Sequence, residues 1–240
     1  MTSLTFAQFS RQARLSRGDI CQEMLAGHRQ SIKAKKEATA VKNLELILDA
    51  TLSLGNQKGF QAMTVRDLSR ASGLSMGALY DYFTSKEELL EMVLGTGRQV
   101  TMRLLAEGVR GVRGPVERLA AAIRAHLFVS EAMQPFFFFA YMEARHLGQQ
   151  QKEKAKQSEL ATERVFAEII EQGQAEGVFA PLDQHLAAGL IKAMVQDWYL
   201  KRWKYAQRRV SVDRYADTVV RAALALCAPA HVPPGEMERS

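Results

Sequence analysis

TVRDLSRASGLSMGALYDYFTSKEEL, Thr64 to Leu89, holds three helix starts, a glycine stop and two tyrosines beside the nearly bare run Met76-Gly77-Ala78. Thr64 with Asp67 three residues on is a reciprocal capping pair, flanked by Met63 and Leu68 as a hydrophobic staple. Gly73 supplies the left-handed residue that ends a helix, with Leu74 folding back on it. Ser75 caps the next helix, whose Leu79 and Phe83 share one face, and Ser85 with Glu88 opens a third. Two helices joined by a short turn containing glycine form a helix-turn-helix, whose second member can enter the DNA major groove.

Upstream, Val41, Leu44, Leu48 and Leu52 mark a first helix that ends in the turn Gly55 to Gly59. Downstream, Gly108, Gly111, Gly114 and Pro115 form an internal boundary. Beyond it, spacings of three and four predict helices near 115–132, 134–147, 150–176, 183–206 and 211–227. Nothing alternates as a strand does, so the fold class is all-α. The units expected are a basic N-terminal extension over 1–36, a helix-turn-helix domain over 37–94, a ligand-binding and dimerisation domain over 95–228, and a disordered tail over 229–240.

Composition fits that reading. The 240 residues are 47% hydrophobic and 24% charged, enough apolar mass for a packed core in a water-exposed protein. No apolar run approaches the length of a membrane span, and the opening residues lack the apolar block of a secretion signal. Two cysteines, Cys21 and Cys227, make neither a disulfide framework nor a metal-binding pair, and a reducing cytoplasm is the expected home. No nucleophile–base pair, metal triad or phosphate loop is present, so no catalytic residue and no cofactor is assigned. The net charge of +6 permits an anionic partner, and residues 1–36 carry seven Lys/Arg against two Asp/Glu. Three readings of that extension stay open: a start-site artefact with Met24 as the alternative start, a disordered tail, or an arm that binds the DNA backbone through Arg29, Lys33, Lys35 and Lys36.

Chemistry suggests a role for each residue of the opening stretch. Gly77 and Ala78 are small enough for the backbone to approach a groove. Tyr80 and Tyr82 bring hydroxyls toward phosphates, and Arg66 has the bidentate fork suited to guanine. Lys86 begins the next helix beside the duplex, while Thr64 and Ser75 can cap and touch phosphate through the same oxygens. The segment Val41 to Leu94 resembles the N-terminal domain of the TetR family of bacterial transcriptional regulators. The resemblance is carried by Gly59-Phe60, Thr64, Gly73-Leu74-Ser75, Gly77, Leu79-Tyr80, Phe83 and Ser85-Lys86. It implies an all-α homodimer that binds a palindromic operator and releases it when a small molecule fills the second domain. Carried over by position, DNA contacts fall on Thr64, Arg66, Ser75, Met76, Gly77, Ala78, Tyr80, Tyr82 and Lys86. Met76 and Ala78 depart from the polar residues usual there and suit thymine methyls instead; Gly55-Asn56 replaces an apolar or aromatic pair.

In the second domain, Phe136 to Phe139 sweep about 300° of a helix, so no single face holds all four. Some must line a neighbour or a cavity, and the expected pocket residues are Arg124, Phe136, Phe139, Glu143, Phe166 and Trp203. Such walls favour a lipophilic effector, and the resemblance adds fatty acyl thioesters as a class some family branches sense. The pair Glu143 and His146, with His126, is a weak metal pattern. The family's dimer of paired C-terminal helices maps onto Leu186, Leu190, Met194 and Trp198, then Tyr215 and Val219. The function expected is a ligand-responsive repressor. The alternative is an activator or architectural DNA binder without a small-molecule switch.

Overall fold

A computed structural model describes residues 4–229, apart from the side chain of Arg145. The tail expected to be disordered lies outside the described residues from position 230 onward. Among the described residues twelve α-helices run in order: α1 Phe6–Gln12, α2 Arg17–Gly27, α3 Glu37–Lys58, α4 Val65–Ser72, α5 Met76–Leu79, α6 Lys86–Val109, α7 Pro115–Ala132, α8 Gln134–Glu143, α9 Gln149–Ala175, α10 Gln184–Leu200, α11 Arg202–Gln207 and α12 Val212–Cys227. One 3-10 turn, Ala144–His146, follows α8, and the described residues contain no strand.

The helix-turn-helix forms from the caps its sequence encodes. Thr64 Oγ1 accepts from Asp67 N at 3.1 Å while Asp67 Oδ2 accepts from Thr64 N at 2.9 Å. Lys58 Nζ lies 2.6 Å from the same carboxylate and, with the Thr64 donors, holds it well below the usual carboxylate range. Gly73 adopts φ 73° and donates its N–H to Ser69 O, ending α4. Met63 and Leu68 are both buried beneath it. Ser75 Oγ then caps α5 by accepting from Ala78 N at 3.2 Å.

Four boundaries differ from the sequence reading. α5 stops at Leu79, short of Phe83. The first helix passes through Gly55 and ends at Gly59, φ 82°. The helix expected to reach 147 tightens into the 3-10 turn after Glu143, and the one expected over 183–206 breaks at Lys201 between α10 and α11.

From residue 4 onward the N-terminal extension packs on the rest of the chain, against the disordered tail among its three open readings. Phe9, Ile20, Cys21, Met24 and Leu25 are buried. The rings of Phe6 and Phe9 pack on Phe128 of α7 at 5.7 and 5.6 Å, and Phe6 N donates to Asp213 Oδ1 of α12 at 2.8 Å. Arg17 pairs with Asp49 of α3 at 2.9 Å, and Glu23 with Arg103 of α6 at 2.6 Å. After α2 the chain turns along the helix-turn-helix, where Lys33 N donates to Asp81 O at 2.8 Å. Charge dominated the reading of this segment, whereas its few apolar residues decide its structure. Phe6 and Phe9 of α1 and Ile20, Cys21, Met24 and Leu25 of α2 each turn toward the rest of the chain and find an apolar surface to cover.

Candidate DNA-reading face and effector cavity

The outward face of α5 is bare. Tyr80 is 43% exposed, Gly77 is exposed, and a Cβ added at Gly77 would meet nothing within 4 Å. No internal packing demand explains this glycine. Thr64, Arg66 and Ser75 are also exposed around it, with Met76 and Ala78 half-buried. Lys86 is half-buried: its Nζ donates to Gln61 O at 3.0 Å and sits 5.1 Å from the Phe60 ring centre. Tyr82 corrects the sequence reading. It is 2% exposed, its hydroxyl accepts from Asn43 Nδ2 at 2.9 Å, and burial pushes its phenol up, so it ties the turn after α5 to α3 instead of reaching outward. Both tyrosines follow the last residue of α5, Leu79, and the turn there leaves Tyr80 outside and takes Tyr82 inside.

In the second domain a cavity of about 540 Å³ opens between α6, α7, α8, α9 and α10. Leu94, Phe136, Phe137, Ala140, Leu147 and Tyr199 supply apolar wall, and His126, Thr162, Glu159 and Lys192 form a polar cluster within it. Lys152 and Lys156 also line it and are exposed, bringing positive charge to its mouth. Among the residues expected to form the pocket, Phe136 lines it and the others have different duties. Phe139 is fully buried against Phe60, its ring filling the space a Cβ on Gly55 would need. Glu143 Oε1 accepts from Phe60 N at 3.0 Å, a use of the carboxylate that also takes it out of the metal pattern. Arg124 pairs with Asp217, joining α7 to α12. Phe166 lies behind the wall, 6.2 Å from the His126 ring. Trp203 is 68% exposed, carried outward by the break at Lys201.

Sequence reasoning passed over Lys192, which is buried with His126. A signal existed: Ala188, Ile191, Lys192 and Val195 form the inward stripe of α10, and a lysine on such a stripe is unusual.

Three of the four phenylalanines explain how the cavity and the helix-turn-helix connect. Phe136 packs where a Cβ on Gly97 of α6 would overlap it, Phe137 contacts Tyr199 at 5.1 Å, and Phe139 enters the helix-turn-helix unit. Asn56 Nδ2 donates to Pro135 O at 2.9 Å, a second tie between α3 and the start of α8. The departure Gly55-Asn56 therefore has a structural reason: glycine admits Phe139 and asparagine holds α8.

The expected dimer stripe divides. Each step of four residues advances about 40° around a helix, so Leu186, Leu190, Met194 and Trp198 spiral from outside to inside. Leu186 is 64% and Leu190 49% exposed, Met194 is half-buried, and Trp198 is buried with its Nε1 donating to Glu131 Oε2 at 3.0 Å. Val219 is buried and Tyr215 donates to Met194 O at 2.7 Å, so both belong to the chain's own core. The apolar surface left open comprises Leu186 and Leu190 of α10 with Ala222, Ala225 and Leu226 of α12.

Known proteins agree with this architecture. The family profile described as bacterial regulatory proteins, tetR family, matches residues 47–93, and that of a tetracyclin repressor-like C-terminal domain matches 112–227. The HTH-type transcriptional regulator HbdR of Aromatoleum sp. (strain CIB) is 26% identical over 162 residues, 68% of this chain and 71% of the relative. The HTH-type transcriptional repressor KstR2 of Mycobacterium tuberculosis (strain ATCC 25618 / H37Rv) is 26% identical over 160 residues, 65% of this chain and 78% of the relative. The solved structure of AibR in complex with isovaleryl coenzyme A and operator DNA shares the fold at TM-score 0.66 with 20% identity, over 75% of this chain and 97% of that one. A bare helix-turn-helix face, a helical cavity domain and matches to both family domains make this chain a member of the TetR family of bacterial regulatory proteins.

Proposed function

We infer that the protein is a ligand-responsive transcriptional repressor, acting in the cytoplasm as a homodimer that leaves a palindromic operator when an apolar small molecule fills the cavity. The single observation that carries this reading is that α6 belongs to both sites. Its first residue, Lys86, lies beside the helix-turn-helix, and Leu94, Arg98 and Thr101 further along form cavity wall. At 1.5 Å per residue, α6 is a rod of roughly 36 Å, and a tilt of about 5° moves one end by about 3 Å. That is close to the roughly 3.4 Å rise of one base pair. α8 adds a second link, since it lines the cavity with Phe136 and grips α3 with Phe139. An effector shifts the balance between binding and non-binding spacings only by its differential affinity for the two.

The DNA contacts in this reading are Thr64, Arg66, Ser75, Met76, Gly77, Ala78, Tyr80 and Lys86. The exposed segment Lys33, Lys35 and Lys36, anchored at Asp81, adds phosphate contacts beside them. The dimer forms through the open apolar surface of α10 and α12, an isologous patch suited to a two-fold operator. Aromatic walls with Lys152 and Lys156 at the mouth suit a fatty acyl thioester of coenzyme A, whose acyl chain would enter while the coenzyme's phosphates meet the lysines.

Operator duplexes selected from a random pool and followed by fluorescence anisotropy test the switch. Release by acyl thioesters of some chain length, and not by free coenzyme A, is the expected result. Cavity occupation by these ligands without any change in operator affinity would instead support a DNA binder that lacks a small-molecule switch. Reporter output on deletion of the gene distinguishes repression, which predicts a rise, from activation, which predicts a fall.

A further inference from the structure

The polar cluster of the cavity is satisfied except at one atom. Lys192 Nζ lies 3.1 Å from His126 Nε2 and 3.5 Å from Glu159 Oε2, and it also contacts Thr162 Oγ1. The Thr162 hydroxyl spends its hydrogen on Glu159 O at 2.8 Å, so toward Lys192 it accepts. Lys192 therefore donates to Thr162, faces His126 Nε2 and pairs by charge with the Glu159 carboxylate. An ammonium group only donates, so His126 Nε2 accepts and the ring proton sits on Nδ1. Burial, with the charge of Lys192, holds His126 well below its ordinary pKa, keeping the ring in this neutral form. Nδ1 is buried and has no hydrogen-bond partner. His126 lines the cavity, with Phe137 and Phe166 against its ring at 5.9 and 6.2 Å.

We propose that His126 Nδ1–H is the recognition point for a neutral carbonyl oxygen on the buried portion of the effector. The natural ligand is then an oxo-substituted hydrocarbon and not a plain saturated chain. This rests on the reading of the cavity as an effector site and narrows the chemistry it accepts. A buried donor left without an acceptor is costly, and an acceptor oxygen delivered by the ligand removes that cost. The cluster's own charges decide between a ketone and a carboxylate. Lys192 and Glu159 offset one another, so no unmatched positive charge waits inside, and a carboxylate placed there would meet Glu159. An apolar site with one placed hydrogen-bond donor discriminates strongly against an analogue lacking the matching group.

The test compares two probes on the full-length protein, dodecanoyl coenzyme A and 11-oxododecanoyl coenzyme A, by isothermal titration. The oxo compound is expected to bind about tenfold more tightly to the wild type, as one recovered hydrogen bond predicts. In His126→Phe the ratio of the two affinities falls to about one, whatever the absolute affinities become, and His126→Gln, which keeps a donor, retains part of the preference. Equal binding of the two probes to the wild type, a comparison needing no variant, would overturn the role of His126 and leave the cavity's effector function standing. Binding of neither would overturn both. A 12-carboxydodecanoyl coenzyme A that outcompetes the oxo compound would also overturn the proposal, since an anion would then be the preferred head.

Discussion

Gly77→Ala separates what the fold needs from what a duplex needs, because the two predict opposite signs. Gly77 lies in α5, has no positive φ, and has empty space where a Cβ would stand. Glycine inside a helix is less favourable than alanine by about 0.5–1 kcal/mol. In a chain of this size ~1 kcal/mol moves the thermal midpoint by roughly 2–4 °C. The isolated protein should therefore gain about 1–4 °C. Against DNA the added methyl stands where backbone and groove meet. Loss of one well-fitted position in a specific site costs about 1–3 kcal/mol, a five- to 150-fold weakening. A thermal scan without DNA and anisotropy on the selected operator, both at one salt concentration, give the two numbers. Stabilisation with unchanged operator affinity would refute the reasoning, because the bare face would then have no duplex against it. Destabilisation would show that α5 requires glycine for its own sake.

Other consequences are as direct. Leu190→Glu should shift the protein toward monomer in sedimentation equilibrium: burying the exposed half of a leucine contributes about 1 kcal/mol per protomer, hence about 2 kcal/mol and roughly thirtyfold for the pair. Cys21 is fully buried in α2 and burial pushes its thiol up to about 12, so in a Cys227→Ser background it should resist an aromatic disulfide reagent at pH 8 until the protein unfolds. Rapid labelling would contradict a packed N-terminal segment. His126 has its folded pKa held below the 6.5 of the free side chain, so the unfolded chain takes up the proton first. Its contribution is whole above about pH 6.5 and falls as pH drops, with a slope approaching 1.4 kcal/mol per pH unit. Urea unfolding between pH 6.5 and 5 should show a shallower loss in His126→Gln than in the wild type.

The helix-turn-helix was legible because its signals are local. Thr64 with Asp67, Gly73 and Ser75 act within four residues of chain, and each forms the cap its spacing implies. The cavity was less legible because its members come from five helices that only tertiary packing assembles. Phe136 announced itself through the aromatic run, but which phenylalanine faced the cavity depended on where Gly97 and Gly55 opened space. Glu143 resembled a pocket group until Phe60 N claimed it, and Trp203 resembled an anchor until the break at Lys201 turned it outward. The dimer stripe failed at Trp198 for a geometric reason, since a spacing of four carried far enough leaves the face on which it began.

Hydrogen–deuterium exchange over Ser75 to Tyr82, with and without the selected operator, tests the central claim most directly. Slower exchange in that peptide on adding operator, but not on adding a scrambled duplex, is what a groove-seated α5 predicts. Unchanged exchange there, with protection falling instead on α10 and α11, would contradict it.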